Sequence, residues 1–498
     1  MAEGKGGPLM YLRLQIAYAL EFAIWGCWSY AVGTFGAKYN VNVGILYSAF
    51  ALGALFAPLV GPIADKKFAA QKVFAFMQAV CGIALLVCGK IADGIVANGA
   101  AEGAASTAPT LWIAMMFVAG LMFMPSIPLL NAIVFKHIPN DKKSPFVFIF
   151  GTLGWIAINL VIGALANGVE VFYYIDGAVA IALALYALTL PNTPPSGASN
   201  GDPFGFKALA LFKRFDFALF MICATMVGIF GSNFYFAFCG ECFPNKGVYN
   251  QYSEIIFMAA LAFAVAKIGL KWTLTLGMLA WGVRYLCFAQ GSDSLALVGI
   301  LVHGIAYAFL YTAAYMYGDR VAPKEMKASV QGLIAFLLLG VAQTLSGLAV
   351  DWEKGKNINS AEQPAAVEVQ TEEACVAFTS CAFAQDASID EAVVEEETEA
   401  TAETAADDAT EGDAATDEEN TEEAAEEVAD VAAPQTTATA TDSSTGFKVW
   451  DKAVWAKYNW KNIWGGPAVF CLFFTILFAL LGKEPKSADG DEKDVEEK

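Results

Sequence analysis

Residues 145–167 read PFVFIFGTLGWIAINLVIGALAN, a run of 23 residues without a charged side chain. A helix rises about 1.5 Å per residue, and about 20 apolar residues cover the hydrocarbon core of a bilayer. This run is therefore long enough to cross a membrane as one helix. Its glycines do not argue against a helix, because neighbouring helices in lipid can satisfy the backbone groups that glycine frees.

Comparable apolar runs lie on both sides of it, and the sequence predicts twelve spans in all. The first is too long for the core of a signal peptide and lacks a small-residue cleavage site, so we interpret it as a retained helix. We predict an all-α integral membrane protein with twelve transmembrane helices. The predicted spans are approximately 9–36, 43–63, 69–92, 110–135, 145–167, 171–190, 215–239, 251–269, 271–290, 295–317, 328–350 and 463–482.

The composition supports a membrane protein and excludes several other classes. Hydrophobic residues make up 57% of the chain and charged residues 16%, against about a quarter charged in soluble proteins. The formal net charge of −20 argues against nucleic-acid binding. The 2 His and 10 scattered Cys form no zinc pattern or disulfide framework. We therefore expect no metal, no cofactor and no enzymatic activity.

The basic residues of the short loops predict the orientation, because cytoplasmic loops carry the excess of Lys and Arg. One set of loops carries fourteen Lys and Arg residues, and the opposite set carries three ahead of residue 351. This asymmetry predicts that both termini lie in the cytoplasm. We expect the protein to reside in the inner membrane of the cell.

A central linker divides the predicted spans into two groups of six. The linker, residues 191–214, opens with Pro191 and ends in Lys213-Arg214. Two six-helix repeats with a substrate site near the bilayer midplane are typical of secondary transporters. The predicted domains are an N-terminal half (1–190), the linker, helices 7–11 (215–350), an insertion (351–446), an interfacial segment with helix 12 (447–482) and a charged tail (483–498). A twelve-span channel or sensor is the alternative, although neither needs such a linker.

The insertion is acidic and of low complexity. Between Asp351 and Phe447 lie 27 acidic and 2 basic residues, which leaves the rest of the chain at +5. Its apolar content is mostly alanine, so we predict a disordered extracytoplasmic tether, with cation attraction at the outer mouth as the alternative. Cys375 and Cys381 could pair if the outside is oxidising. The sequence after it predicts a helix at the membrane interface, because four Trp alternate with four Lys; the Trp residues are Trp450, Trp455, Trp460 and Trp464.

Ionisable residues within spans are costly and are therefore functional candidates. Glu21 lies in span one, Glu254 in span eight, Arg284 in span nine and His303 in span ten. For Arg284 we favour a structural role in which it holds a carboxylate or backbone carbonyls. For Glu254 we favour a functional role, because Gln251 precedes it by one turn and shares its helix face.

Aromatic residues accompany these polar groups at helical spacing. Rings beside a few polar groups suit a flat heterocycle, although helix packing or an interfacial belt would explain any single ring. The CxxC at Cys239 and Cys242 has no companion pair, and we interpret it as structural. The aromatic faces are Glu21, Trp25 and Trp28 in span one, Phe148, Thr152 and Trp155 in span five, and His303, Tyr307, Tyr311 and Tyr315 in span ten.

The loop after span two, residues 61–67, reads Gly-Pro-Ile-Ala-Asp-Lys-Lys. A glycine followed four residues later by an aspartate and then by basic residues resembles the signature loop of the major facilitator superfamily. The resemblance implies that Gly61, Asp65 and Lys66 form a latch, in which the carboxylate caps a neighbouring helix and holds the two halves in one state.

Further strings resemble the nucleoside:proton symporter family within that superfamily. The resemblance runs from about residue 11 to residue 350 and resumes near Asn459-Trp460, and it leaves out the insertion. The strings that carry it are Leu20-Glu21-Phe22-Ala23-Ile24-Trp25-Gly26-Cys27-Trp28, Met124-Pro125-Ser126 with Asn131, Gly151-Thr152-Leu153-Gly154-Trp155, Leu188-Thr189-Leu190-Pro191, Gln251-Tyr252-Ser253-Glu254 and Ala328-Ser329-Val330-Gln331-Gly332.

The resemblance implies a central nucleoside site formed by spans five, seven, eight and ten. Thr152 matches the family's threonine on span five. Gln251 and Glu254 match the glutamine and glutamate on span eight that hold ribose or base. The family's glutamine and asparagine on span seven have no clear match, and the nearby substitutes are Ser232, Asn233 and Tyr235.

Five positions depart from the family pattern. Phe148 stands where the family usually has an arginine, and Glu21 where it has a glutamine. His303 and Tyr307 replace its tyrosine and phenylalanine on span ten. Ala308 replaces the aspartate that the family links to proton coupling, so substrate identity and coupling are the open questions.

The sequence therefore predicts an alternating-access permease that imports a nucleoside or a related small polar heterocycle. Gln251, Glu254 and Thr152 would bind the substrate through hydrogen bonds, and Trp155 and Tyr307 would stack against it. We expect a monomer in the lipid bilayer whose partners are the substrate and protons.

Proton coupling and substrate class leave alternatives open. His303 could donate to the substrate or sense protons near neutral pH. For the proton carriers we hypothesise Glu21 and Glu254, with His303 as a third candidate. The alternatives are a permease for a sugar or small peptide, an uncoupled uniporter in which Glu21 pairs with Arg284 or another buried donor, and a receptor that binds solute without moving it.

Overall fold

The architecture of the chain was obtained as a computed structural model. It describes residues 7–39, 50–97, 110–138, 143–164, 171–195, 206–231, 234–235, 238, 242, 248–357 and 458–486. The interior of the acidic insertion, the CxxC residue Cys239, the span-seven residues Ser232 and Asn233, and the tryptophans Trp450 and Trp455 lie outside the described residues.

In the described part of the N-terminal half, seven helices cover its predicted spans in whole or in part. Span four is divided between α4 and α5, because the chain turns at Met124 and Pro125 between them, and proline cannot donate a backbone hydrogen bond. The helices are α1 (Pro8–Tyr39), α2 (Ala57–Lys66), α3 (Ala70–Ala97), α4 (Thr110–Phe123), α5 (Ser126–His137), α6 (Pro145–Ala164) and α7 (Val171–Ala187).

The C-terminal half begins after a short 3-10 helix at Phe206–Lys213, which occupies the end of the predicted linker. Two π-helical turns, Ala308–Thr312 and Phe336–Val341, interrupt spans ten and eleven. The α-helices are α8 (Phe215–Ile229), α9 (Val248–Ala289), α10 (Asp293–Leu301), α11 (His303–Tyr307), α12 (Ala313–Val321), α13 (Lys327–Ala335), α14 (Ala342–Asn357) and α15 (Trp460–Leu481).

Helix α9 contains two predicted spans. It bends at Gly269, whose φ of 78° lies in the region that only glycine adopts without strain, so spans eight and nine are joined without a loop. Within the described ranges, seven helical stretches are long and apolar enough to cross a membrane, and α9 is one of them. Every predicted span coincides with a described helix over at least part of its length, which confirms the all-helical membrane fold.

Several helix ends differ by a few residues from the approximate predicted spans. Helix α14 continues to Asn357 instead of ending near residue 350, and α15 begins at Trp460 instead of near residue 463. The backbone N–H of Asn459 donates to the carbonyl of Asn357 at 2.8 Å, so the insertion leaves and rejoins the helical body at one point.

Of the four Trp residues in the predicted interfacial segment, Trp460 and Trp464 lie within the described residues. Both are buried within the bundle. Trp464 stacks on Tyr285 of α9 with ring centroids 5.4 Å apart, and Trp460 packs edge-on against Phe238 at 5.9 Å. The contacts with Tyr285 and Phe238 explain why both rings are buried.

The outer surface of the helical body is apolar. Large hydrophobic side chains are well exposed on helices from both halves, as expected where the surrounding solvent is lipid. Examples are Phe76 (65% exposed), Leu160 (70%), Phe263 (66%) and Leu480 (76%). The chain is a multi-pass membrane protein with polar and ionisable side chains buried in its interior.

Candidate functional site

A hydrogen bond between Thr152 and Glu254 joins the two halves in the interior. Thr152 lies on α6 and Glu254 on the first part of α9, and these two helices pack directly against each other. The Thr152 hydroxyl lies 2.5 Å from Glu254 Oε1, and both side chains are buried. Two residues that the sequence placed in the substrate site therefore meet across the interface between the halves.

Behind Glu254 lies a buried cationic network. Arg284 donates from Nη1 to His303 Nδ1 at 2.7 Å and from Nη2 to Asn250 Oδ1 at 3.1 Å. Its guanidinium lies 3.5 Å from the centre of the Tyr235 ring, and Tyr235 accepts a hydrogen bond from Asn250 Nδ2 at 3.1 Å. Stacking and hydrogen bonding together hold a charge that would be costly to bury alone.

The network assigns the tautomer of His303. A guanidinium has no acceptor, so His303 Nδ1 must accept the hydrogen bond from Arg284. The imidazole is then neutral and carries its proton on Nε2. That nitrogen lies 3.8 Å from Glu254 Oε2, so the N–H and the carboxylate face each other across a short gap.

Aromatic rings and one further amide surround this polar centre. Trp155 and Tyr307 are half-buried, and Tyr307 stacks on His303 with ring centroids 6.0 Å apart. Trp155 meets Trp25 of α1 edge-on at 5.9 Å. Gln251 is also half-buried and makes no hydrogen bond to the described part of the chain, so its amide is available to a ligand.

The departures from the family pattern fall on packed positions. Phe148 is buried, and its ring packs against Tyr18 at 5.0 Å and Phe135 at 5.5 Å. Ala308 is fully buried at the start of the π-helical turn in span ten. Neither position offers a charge, so proton binding must depend on other residues.

Glu21 does not pair with Arg284. It lies in the N-terminal half, fully buried, with Gln78 of α3 and Ser126 of α5 as its hydrogen-bond partners. Arg284 instead belongs to the network around His303. The two candidate carboxyl groups, Glu21 and Glu254, thus occupy separate polar clusters, one in each half.

The predicted latch residues lie where the halves meet on the predicted cytoplasmic side. Asp65 accepts hydrogen bonds from the backbone N–H and the hydroxyl of Ser329, at 2.9 and 2.7 Å, and from the N–H of Ala328 at 3.3 Å. A carboxylate at the first turn of α13 also interacts favourably with the helix dipole. A Cβ on Gly61 would lie 2.6 Å from Ser329 Cα, so glycine permits this approach. Lys66 makes no hydrogen bond to the described residues.

Sequence reasoning missed four polar residues of the interior. Gln78, Ser126 and Asn250 are uncharged and carry no signal beyond being polar in an apolar span. Asp176 of α7 should have been found by the rule that identified Glu21, because it is an ionisable residue in a predicted span. It is fully buried, and neither carboxyl oxygen has a hydrogen-bond partner among the described residues.

Known proteins resemble this chain over most of the helical body. The family model for nucleoside H⁺ symporters matches residues 9–359. YegT of Escherichia coli (strain K12) is 30% identical over 367 residues, which cover 67% of this chain and 82% of YegT. The xanthosine permease of the same organism is 26% identical over 382 residues, with 68% and 88% covered.

Solved structures agree on the fold. A crystal structure of a variant of the nucleoside transporter NupG superposes with a TM-score of 0.50 at 23% identity, covering 70% of this chain and 91% of that one. The proton:xylose symporter XylE of the major facilitator superfamily superposes with a TM-score of 0.53 at 12% identity, covering 70% and 89%. Together with the family match, these likenesses show that the chain has the major facilitator fold and belongs to the nucleoside H⁺ symporter family.

Proposed function

We propose that this protein imports nucleosides together with protons by alternating access, as a monomer in the inner membrane with both termini in the cytoplasm. The observation that carries the proposal is the Thr152–Glu254 hydrogen bond, which joins the two halves within the interior of a chain from this family. A substrate that binds between these residues contacts both halves at once. Its binding can therefore change how the halves sit against each other.

The chemistry around Glu254 suits a nucleoside. A ribose presents neighbouring hydroxyl groups, and a carboxylate accepts hydrogen bonds from two donors at once. His303 Nε2–H adds one hydrogen-bond donor. The side-chain amide of Gln251 adds both a donor and an acceptor. Trp155 and Tyr307 offer ring faces on which a base can stack. A sugar has no planar base that could stack on these ring faces.

Substrate binding competes with the bond between the halves. Thr152 occupies Glu254 Oε1 in this structure. A ribose hydroxyl that takes its place satisfies the carboxylate and releases α6 from α9. The contact between Asp65 and the first turn of α13 keeps the predicted cytoplasmic side closed until the halves rock apart.

A competition uptake experiment tests the substrate class. Cells that lack their own nucleoside uptake and express this protein are given a labelled nucleoside with unlabelled nucleosides, nucleobases, sugars or dipeptides in excess. We expect nucleosides to suppress uptake and sugars and dipeptides to leave it unchanged. Labelled-nucleoside uptake no higher than in cells without the protein, or suppression by sugars or dipeptides as strong as that by nucleosides, would contradict the proposed substrate.

The acidic insertion is expected to be dispensable for transport. The helices on either side of it, α14 and α15, are linked by the hydrogen bond between Asn357 and Asn459. The family match ends at residue 359. Deletion of residues 360–446 should therefore leave the half-saturation concentration within about twofold of wild type. In binding free energy, a twofold change is about 0.4 kcal/mol. Uptake normalised to membrane protein level measures this, and a large loss of affinity would show that the insertion acts at the outer mouth.

A further inference from the structure

The polar cluster around Glu21 fixes where its hydrogens lie. Gln78 Nε2 lies 2.6 Å from Glu21 Oε2 and 2.9 Å from Ser126 Oγ. Ser126 Oγ lies 2.5 Å from Glu21 Oε1 and 2.5 Å from the carbonyl oxygen of Phe123. All three side chains are fully buried, so water does not supply other partners.

These contacts need one hydrogen more than Gln78 and Ser126 can provide. The amide of Gln78 supplies two hydrogens, one to Glu21 and one to Ser126. The single hydroxyl hydrogen of Ser126 must go to the Phe123 carbonyl, which has none of its own. The short contact between Ser126 Oγ and Glu21 Oε1 then requires a hydrogen on Glu21. The carboxyl group is therefore protonated and donates to Ser126.

The described groups that contact the Glu21 carboxyl are neutral side chains, Gln78 and Ser126. Glu21 makes no ion pair within the described chain. Asn131 of α5, which does not titrate, accepts a hydrogen bond from Tyr18 of α1 at 2.9 Å. The titratable groups that interact with Glu21 are Tyr18 on α1 and Cys81 on α3, and Cys81 also lies within reach of Asp176 on α7.

Glu254 differs from Glu21 in having a buried cation nearby. Thr152 faces its Oε1 and the His303 Nε2–H faces its Oε2, so donors lie on both sides of the carboxyl group. The positive charge of Arg284 lies directly behind His303. This arrangement favours a carboxylate that accepts hydrogen bonds and has no need of a proton.

We propose that Glu21 is the residue that carries the coupled proton, while Glu254 remains anionic and binds the substrate. The inference rests on the proposed function, because it divides two roles of one symport cycle between two carboxyl groups. A proton from the outer solution binds the Glu21 carboxylate when the site is open outward. The proton returns to water on the cytoplasmic side only when rocking of the halves opens the cluster, because the closed cluster cannot hold an unpaired carboxylate.

Transport by purified protein in liposomes tests whether Glu21 carries the proton and Glu254 binds the substrate. Wild type, Glu21→Gln and Asp176→Asn are compared for nucleoside accumulation when the interior is more alkaline than the exterior, and for exchange of labelled against unlabelled nucleoside. Glutamine replaces the protonated carboxyl group with similar shape and keeps a donor for Ser126. Asp176→Asn is the matched control, because it removes the other fully buried carboxyl group described in the N-terminal half.

We expect Glu21→Gln to exchange nucleoside but to lose accumulation above equilibration, while Asp176→Asn accumulates like wild type. Accumulation by Glu21→Gln at the wild-type level would overturn the assignment, as would loss of coupling in Asp176→Asn instead. Loss of exchange as well as accumulation in a folded Glu21→Gln protein would make Glu21 structural and also overturn it. A wild type that never accumulates nucleoside would refute the proposed symport itself.

A second variant keeps the carboxyl group and tests the same hydrogen bonds. Ser126→Ala removes the partner of the Glu21 proton, and the loss of one buried hydrogen bond should move the pH of half-maximal accumulation by about half a unit or more. An unshifted pH profile in this variant would contradict the role of the cluster in proton binding.

Discussion

Replacement of Glu254 by glutamine is expected to raise the half-saturation concentration for nucleoside by about 10- to 100-fold. Hydrogen bonds to a charged group contribute about 1.5–3 kcal/mol, and each 1.4 kcal/mol is a factor of ten in affinity. The amide also turns one acceptor into a donor, which then faces either the Thr152 hydroxyl or the His303 N–H. Initial rates of uptake over a range of nucleoside concentrations measure the effect.

The matched control for this variant is Cys471→Ala. Cys471 is a buried residue of α15 that lies in neither polar cluster. Its substitution should leave the half-saturation concentration within about twofold, because only a small apolar group is lost. If Glu254→Gln and Cys471→Ala bind nucleoside equally well, the substrate site lies elsewhere.

Replacement of Arg284 by methionine is expected to destabilise the fold more than any other single change considered. The variant leaves His303 Nδ1 and Asn250 Oδ1 without their donor, and each buried unsatisfied group costs about 1–3 kcal/mol. It also removes the guanidinium stacked on Tyr235. We expect a lower melting temperature in detergent and a lower yield of folded protein.

The same substitution at Arg13 provides the control. Arg13 lies near the beginning of α1, away from the buried network, and donates a hydrogen bond to the carbonyl of Thr189. Arg13→Met should change the melting temperature little, because groups that water can reach lose little when a partner is removed. Equal melting temperatures for Arg284→Met and wild type would show that the network contributes nothing to stability.

The helical spans could be predicted from sequence because the bilayer sets their length. Runs of about 20 apolar residues identify helices without knowledge of their neighbours. The ends were less predictable, since they depend on tertiary contacts. Trp460 looked interfacial beside its lysines, yet it joins the core because Phe238, more than 200 residues earlier, provides a ring to pack against.

The site was predictable as a set of residues but not as an arrangement. Glu254 and Thr152 were identified as polar residues in apolar spans, whereas their contact joins positions that only the fold brings together. The roles of the two carboxyl groups also depend on distant partners. Ser126 lies 105 residues from Glu21, and no local pattern relates them.

His303 illustrates the same limit. Its position in span ten suggested a proton sensor, because an isolated histidine titrates near neutral pH. The hydrogen bond from Arg284, 19 residues earlier, makes Nδ1 an acceptor and places the proton on Nε2. The composition of a segment predicts whether it forms a membrane-spanning helix. The protonation state of a buried side chain depends on all of its neighbours in the fold.

The most direct test of nucleoside–proton symport is uptake by purified wild-type protein in sealed liposomes. A labelled nucleoside is supplied outside, at equal pH on both sides or with a more alkaline interior. We expect equilibration at equal pH and accumulation severalfold above equilibration with the gradient, abolished by a protonophore. Uptake that never exceeds equilibration under the gradient would contradict proton-driven import, and the absence of any nucleoside uptake would contradict the proposed function as a whole.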